Sequence, residues 1–168
     1  IYINGKTAGK MGELMGHATC VMFSPEDLSL VKGSPEGRRK FLDMLLSQRQ
    51  QAYFYALQSY QTALRQRNAL LKSQDGRQLA AWDEELAKAA VPVVRLRRQV
   101  AEFLNARACA HYAFIGGREE ERFALRYQGC LQDSDRVYED MLQGLRRSRE
   151  EDLRRQTTSF GPHRDDLS

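Results

Sequence analysis

The sequence predicts a mainly α protein: an antiparallel helical hairpin of coiled-coil type, a third helix, and short β-strands at the margins. Three observations carry this. The 168 residues are 42% apolar, enough for one domain with a core. Charged residues make up 29% against 12 glycines and 4 prolines, a balance that suits solvated helices better than a turn-rich β fold. Two apolar series stepping by three and four residues flank one short polar break, SQDG at 73–76.

The elements follow in order. IYINGK at 1–6 sets Asn4-Gly5 between apolar residues, the signature of a type I′ hairpin turn. A link through Gly16 and the apolar run ATCVMF at 18–23 complete a β-rich piece over 1–33, and this mid-pattern opening predicts a section of a longer protein. In SPEDL, Ser24 is a cap with Pro25 at N1 and Asp27 at N3; GSPEGRRKFLDMLL repeats the device with Ser34, Pro35 and Glu36. A helical domain is expected over 34–157. From Tyr53 the seam runs through Leu57, Tyr60 and Leu64, is interrupted at Arg67, and resumes at Leu71. Beyond SQDG it continues through Leu79, Trp82, Leu86, Ala89, Val93, Leu96, Val100 and Phe103, so the two helices pack antiparallel. Pro92 removes one backbone bond inside the second helix and predicts a kink near 88–92. FIGGRE ends that helix at its glycine pair, FALRYQG predicts a short strand near 123–128, and residues 133–156 form a third helix capped by Asp133 or Ser134. Residues 158–168 leave the helices at Gly161-Pro162.

Composition and motifs bound the function. Cys20, Cys109 and Cys130 show neither disulfide nor zinc spacing, which predicts a reducing compartment, the cytoplasm. No apolar run reaches the roughly 20 residues of a membrane span, and no secretory leader pattern opens the chain. GKT at 5–7 suits the hairpin better than a phosphate loop, because such a loop needs a strand-to-helix context. His17, His111 and His163 are far apart and lack a nucleophile, so structural roles are expected. Asp165 and Asp166 are adjacent, and neighbours in an extended segment face opposite ways rather than sharing a metal.

The net charge is +4, and its distribution says more than its size. No acidic residue lies between Asp43 and Asp75, while Arg49, Arg65, Arg67 and Lys72 do, with Arg38, Arg39 and Lys40 just upstream. Such a basic arm either lies along a phosphate backbone or is a solvated helix face. Arg38, Arg39, Lys40, Arg65 and Lys72 are the candidate DNA contacts. The third helix, with seven acidic and six basic residues over 133–156, suits pairing within the helix.

VMFSPEDLSLVKGSPEGRRKFLD at 21–43, YQTALRQRNALLK at 60–72, AAWDEELA at 80–87 and FGPHRDDL at 160–167 stand in the order found in RecF, and the chain resembles the middle section of that family of ABC- and SMC-like DNA recombination and repair ATPases. The resemblance implies that the short strands belong to an ABC-type ATPase head, with the helices as its lid or arm. It implies that Gly161, Pro162, His163, Arg164, Asp165 and Asp166 form the return into the head. It also implies that Walker A, signature and Walker B motifs lie outside this chain, which alone would be inactive and carry no cofactor. For the intact protein it implies ATP and Mg, an ATP-dependent homodimer, DNA at single-strand/double-strand gaps, the partners RecR and RecO, and RecA loading in the SOS response. The rival expectation is a helical arm for a protein partner, RecR-like or a second copy, without direct DNA contact. Pro92 is the one departure from the family pattern, and it bears on the arm's straightness.

Overall fold

The computed structural model describes residues 2–3, 5–7, 9, 22, 24–73, 76–116, 123–131 and 135–168. Strands β1 (Tyr2–Ile3) and β2 (Lys6–Thr7) pair antiparallel with Ile3 opposite Lys6, so the register closes over two residues, as a hairpin turn requires. Gly5 takes φ 80°, the left-handed value that glycine allows; Asn4, Gly16, His17 and Cys20 lie outside the described residues. The Ser24 cap is half reciprocal: Asp27 N–H donates to the Ser24 carbonyl at 3.0 Å, and Ser24 N–H donates to the Asp27 carboxylate at 2.7 Å. The turn at Pro25–Leu28 leads into the single turn α1 (Ser29–Lys32), which stops at Gly33.

Helix α2 (Pro35–Arg49) begins where Pro35 and Glu36 predict, but Ser34 contributes only its backbone, with no side-chain bond to the helix end. Gln50, extended at φ −138° and ψ 110°, separates α2 from α3 (Gln51–Ser73), a break the periodicity did not announce. After a 3-10 turn at Gly76–Gln78, α4 (Leu79–Gly116), 38 residues long, runs back along the 23-residue α3 and stays helical through Pro92. Its described residues run to Gly116, and Gly117, the second of the expected glycine pair, lies outside the described residues. Strand β3 is shorter than FALRYQG suggested, Tyr127–Gln128 only, and α5 (Val137–Arg155) packs mainly on α4. Residues 133 and 134 lie outside the described set; Arg136 holds the N-cap position of α5 without a side-chain bond. Strand β4 (Asp166–Leu167) pairs antiparallel with β3 and packs on α2.

Leu42 and Leu46 from α2, Tyr53, Tyr60 and Ala63 from α3, Leu86, Ala90 and Val93 from α4, and Val137, Met141 and Leu145 from α5 form one core. The hairpin seam is partly offset from the one that apolar periodicity predicts. On α4 the most buried stripe is Leu79, Asp83, Leu86, Ala90, Val93, Arg97 and Ala101, while Trp82, Ala89, Leu96 and Val100 flank it and Phe103 is 48% exposed. On α3, Ala63 rather than Leu64 faces inward, and Arg67 is fully buried. Leu79, Leu86 and Val93 on α4 and Tyr53, Tyr60 and Leu71 on α3 stand where apolar periodicity puts them, whereas the positions between them shift by one, partly because charged residues occupy them.

Arg67 is tolerated there because its charge is met from two helices. Its Nε donates to Asp83 at 2.6 Å, and its Nη1 donates to Asp152 at 2.8 Å and to the Thr158 hydroxyl at 2.8 Å. Removing the cation strands two buried carboxylates, so Arg67→Met should cost about 3–5 kcal/mol in urea unfolding, the range for breaking a buried ion pair from one side. Trp82 packs against the core from a half-buried position. Trp82→Ala should therefore cost about 1–3 kcal/mol, less than a fully enclosed tryptophan would, by the same measurement.

Candidate nucleic-acid interface and the return loop

The segment 158–168 is held by contacts to every long helix. Gln156, in the left-handed conformation at φ 54°, ends α5, and Asp152 accepts from the backbone N–H of Ser159 at 2.9 Å and its hydroxyl at 2.6 Å. Thr158 is tied to α3 through Asn68, whose side-chain oxygen accepts from the Thr158 N–H and hydroxyl at 2.8 and 2.7 Å. Gly161 then turns the chain at φ 135°. A side chain there would be strained in backbone and would press on the Tyr60 hydroxyl and the Met141 methyl.

Arg97, buried in the α4 stripe, meets this loop from below. Its Nη1 donates to the Pro162 carbonyl at 2.7 Å, while Nε and Nη2 both reach the Asp43 carboxylate at 2.9 Å. The Tyr53 hydroxyl donates to the same carboxylate. His163 is oriented by two bonds. Its Nε2 lies 3.0 Å from the Thr158 carbonyl, which can only accept, so Nε2 carries the proton and Nδ1 accepts from the Tyr60 hydroxyl at 2.7 Å. Burial lowers the His163 pKa and keeps the ring neutral. Arg164, exposed, donates to the same carbonyl at 3.2 Å.

The two aspartates part company, as an extended backbone dictates. Asp165 is buried and accepts from the Tyr127 hydroxyl and, at 3.1 Å, from Cys130 N–H. Asp166 turns the other way into a paired contact with Arg38, at 2.7 and 2.9 Å, and this hydrogen bonding holds its carboxyl below the usual range. Arg39 donates to the Asp165 carbonyl at 2.7 Å.

The five candidate DNA contacts therefore fall into two groups. Arg38 and Arg39 are engaged with the return strand, whereas Lys40, Arg65 and Lys72 are exposed, and Arg65 reaches only Thr62, its neighbour on the same helix, at 3.0 Å. Arg65 and Lys72 lie seven residues apart on α3 and share a face. Sequence reasoning missed Asp43, Tyr53, Tyr60 and Arg97 as the frame of the return loop. The available signal was Arg97 itself, which stands four residues after Val93 and four before Ala101, inside the helical period. Among the described residues no cluster of histidine, cysteine and carboxylates could hold a metal ion, and no helix is long and apolar enough to cross a membrane.

No protein-family model matches the chain. It is similar to the DNA replication and repair protein RecF of Clostridium perfringens strain SM101, 37% identical over 171 residues that take in 100% of this chain and 47% of that protein. RecF of Symbiobacterium thermophilum is 38% identical over 172 residues, 98% of this chain and 46% of that one. A solved structure of the recombination mediator protein RecF with ATP, in the RecFOR pathway, superposes at a TM-score of 0.88 and 30% identity over 98% of this chain and 46% of its own. The chain spans about half the length of the curated relatives it matches, and the resemblance to a middle section of RecF and the ABC-type fold are both upheld.

Neutral His163 makes stability depend on pH. Its folded pKa lies below the unfolded value of about 6.5, so as pH falls the unfolded chain takes up the proton first. Its contribution should be complete above about pH 6.5 and shrink progressively below it. Urea unfolding of the wild type between pH 7.5 and 5 should show this added loss, and His163→Gln should remove that part of the pH dependence.

Proposed function

We propose that this chain, a segment of a RecF-like DNA replication and repair protein, forms the lid or arm of the intact molecule and guides DNA along the exposed cations of α3. In this reading 34–157 are the lid, and 1–33 with 158–168 are pieces of the ATPase head. The observation that carries the DNA reading is the acid-free stretch between Asp43 and Asp75, on which Arg65 and Lys72 stand exposed on one helical face. The solved relative with ATP, described in the RecFOR pathway, supports ATP as the intact protein's cofactor and RecR and RecO as its partners; Mg, an ATP-dependent homodimer and the placing of RecA at gaps enter this reading through the family resemblance alone. DNA as the ligand puts its action in the cytoplasm.

Among the described residues, GKT at 5–7 does not build a phosphate cradle. Gly5 turns a two-strand hairpin and Thr7 sits exposed on β2, whereas phosphate binding needs a loop that opens into a helix N-terminus. We therefore assign nucleotide contacts to other parts of the intact protein, and the isolated chain is expected to show no ATP turnover.

Phosphate contacts are read by salt. In the intact protein, Arg65→Glu with Lys72→Glu should weaken binding of a labelled duplex to a similar degree for all sequences and flatten the slope of log affinity against log salt by up to about two. An unchanged slope, with helicity intact by circular dichroism, sinks the DNA reading of this face.

A further inference from the structure

A groove of about 640 Å³ runs between α2 and α3, directly over the return loop. Met44, Phe54, Leu57 and Leu64 supply an apolar wall, Tyr60 and His163 close the floor, and Arg39 and Lys40 stand on the α2 side. Met44 is 54% exposed, although Leu42 and Leu46 on the same helix are buried. A long, flexible thioether held out of the core at the mouth of a groove suits a surface that re-packs around a partner. We infer that this groove is the docking site for an amphipathic, acidic helical segment of a protein partner.

The chemistry selects that occupant over a phosphate backbone. A nucleic-acid track needs repeated cations and little apolar surface, whereas here four apolar side chains make the wall and Glu36 stands among the lining groups. Asp43 does not add to that negative charge, because Arg97 pairs with it at 2.8 Å. The exposed charge of Lys40, with Arg39 beside it, complements acidic side chains, and the apolar wall fits residues spaced three and four apart on a helix. The volume lies within the range of pockets that enclose several side chains. The site is also wired to the return strand: Arg39 donates to the Asp165 carbonyl, and His163 is part of the floor. A docked acidic group therefore competes with Asp165 for Arg39. This proposal goes beyond the DNA reading on α3, whose Arg65 and Lys72 take no part in the groove, and it reassigns Arg39 and Lys40 of the DNA candidates to a protein partner.

The test uses the full chain with a labelled helical peptide of about fourteen residues that carries leucines at three- and four-residue spacing and glutamates elsewhere. Fluorescence anisotropy should show saturable binding, and the Met44 methyl resonance should shift while that of buried Met141 does not. Met44→Gln, which leaves the net charge unchanged, should weaken binding about tenfold, the loss expected from removing one apolar contact of that size. Lys40→Glu should weaken it as well, and the same peptide with alanine in place of leucine should bind no better than background. Equal affinity for wild type and Met44→Gln overturns the proposal, as does equal binding of a leucine–lysine peptide. If a single-stranded oligonucleotide shifts the Met44 methyl instead, the occupant is nucleic acid. If Met44→Gln abolishes a concentration-dependent self-association, it is a second copy; both results overturn the proposal as stated.

Discussion

Arg67 is a cation without access to water in the seam of a helical hairpin, and much of the surrounding fold meets its needs. A lone buried guanidinium costs several kcal/mol, so the charge must be returned by carboxylates held at short range. Asp83 comes from the facing helix and Asp152 from α5, and Asp152 also orders the start of the return loop through Ser159. One side chain thus fixes the register of α3 on α4, the seat of α5, and the point where the chain leaves the helices. An apolar residue of similar volume would fill the space without specifying any of these, which is the sense in which a buried ion pair selects one arrangement more than it adds stability.

A second arginine repeats the logic at the base of the arm. Arg97 neutralises Asp43 on α2 through Nε and Nη2 and donates from its third nitrogen to a backbone carbonyl of the return loop. Two further arginines on α2 reach Asp165 and Asp166. The loop is thereby bound by strong, directional contacts to elements far apart in sequence, and its own glycine and histidine fit against Tyr60 with little room to shift.

The helices, the hairpin and the strand-forming return were legible because each rests on a local rule: proline at a helix start, glycine at its end, three-four spacing between. The opposite-facing aspartates followed from the two-residue period of extended chain. The seam was legible only at alternate positions: Arg67 stood in it as an interruption, and Asp83 and Arg97 read as surface residues until their partners are known, and those partners lie 16, 85 and 54 positions away. The break at Gln50 carries no glycine or proline to announce it. Of the basic candidates, charge alone could not separate Arg38, which ends on Asp166, from Lys40, which faces water.

The length of α4 has a mechanical consequence. From Leu79 at the hairpin end to Arg97 at the return loop the helix covers about 27 Å at 1.5 Å per residue. With Arg97 anchored to Asp43 and to the Pro162 carbonyl, each degree of tilt about that point would displace the far end by about half an ångström. Any displacement of the return strand carried through the Arg97–Pro162 contact would therefore reach the tip enlarged, as travel rather than tilt.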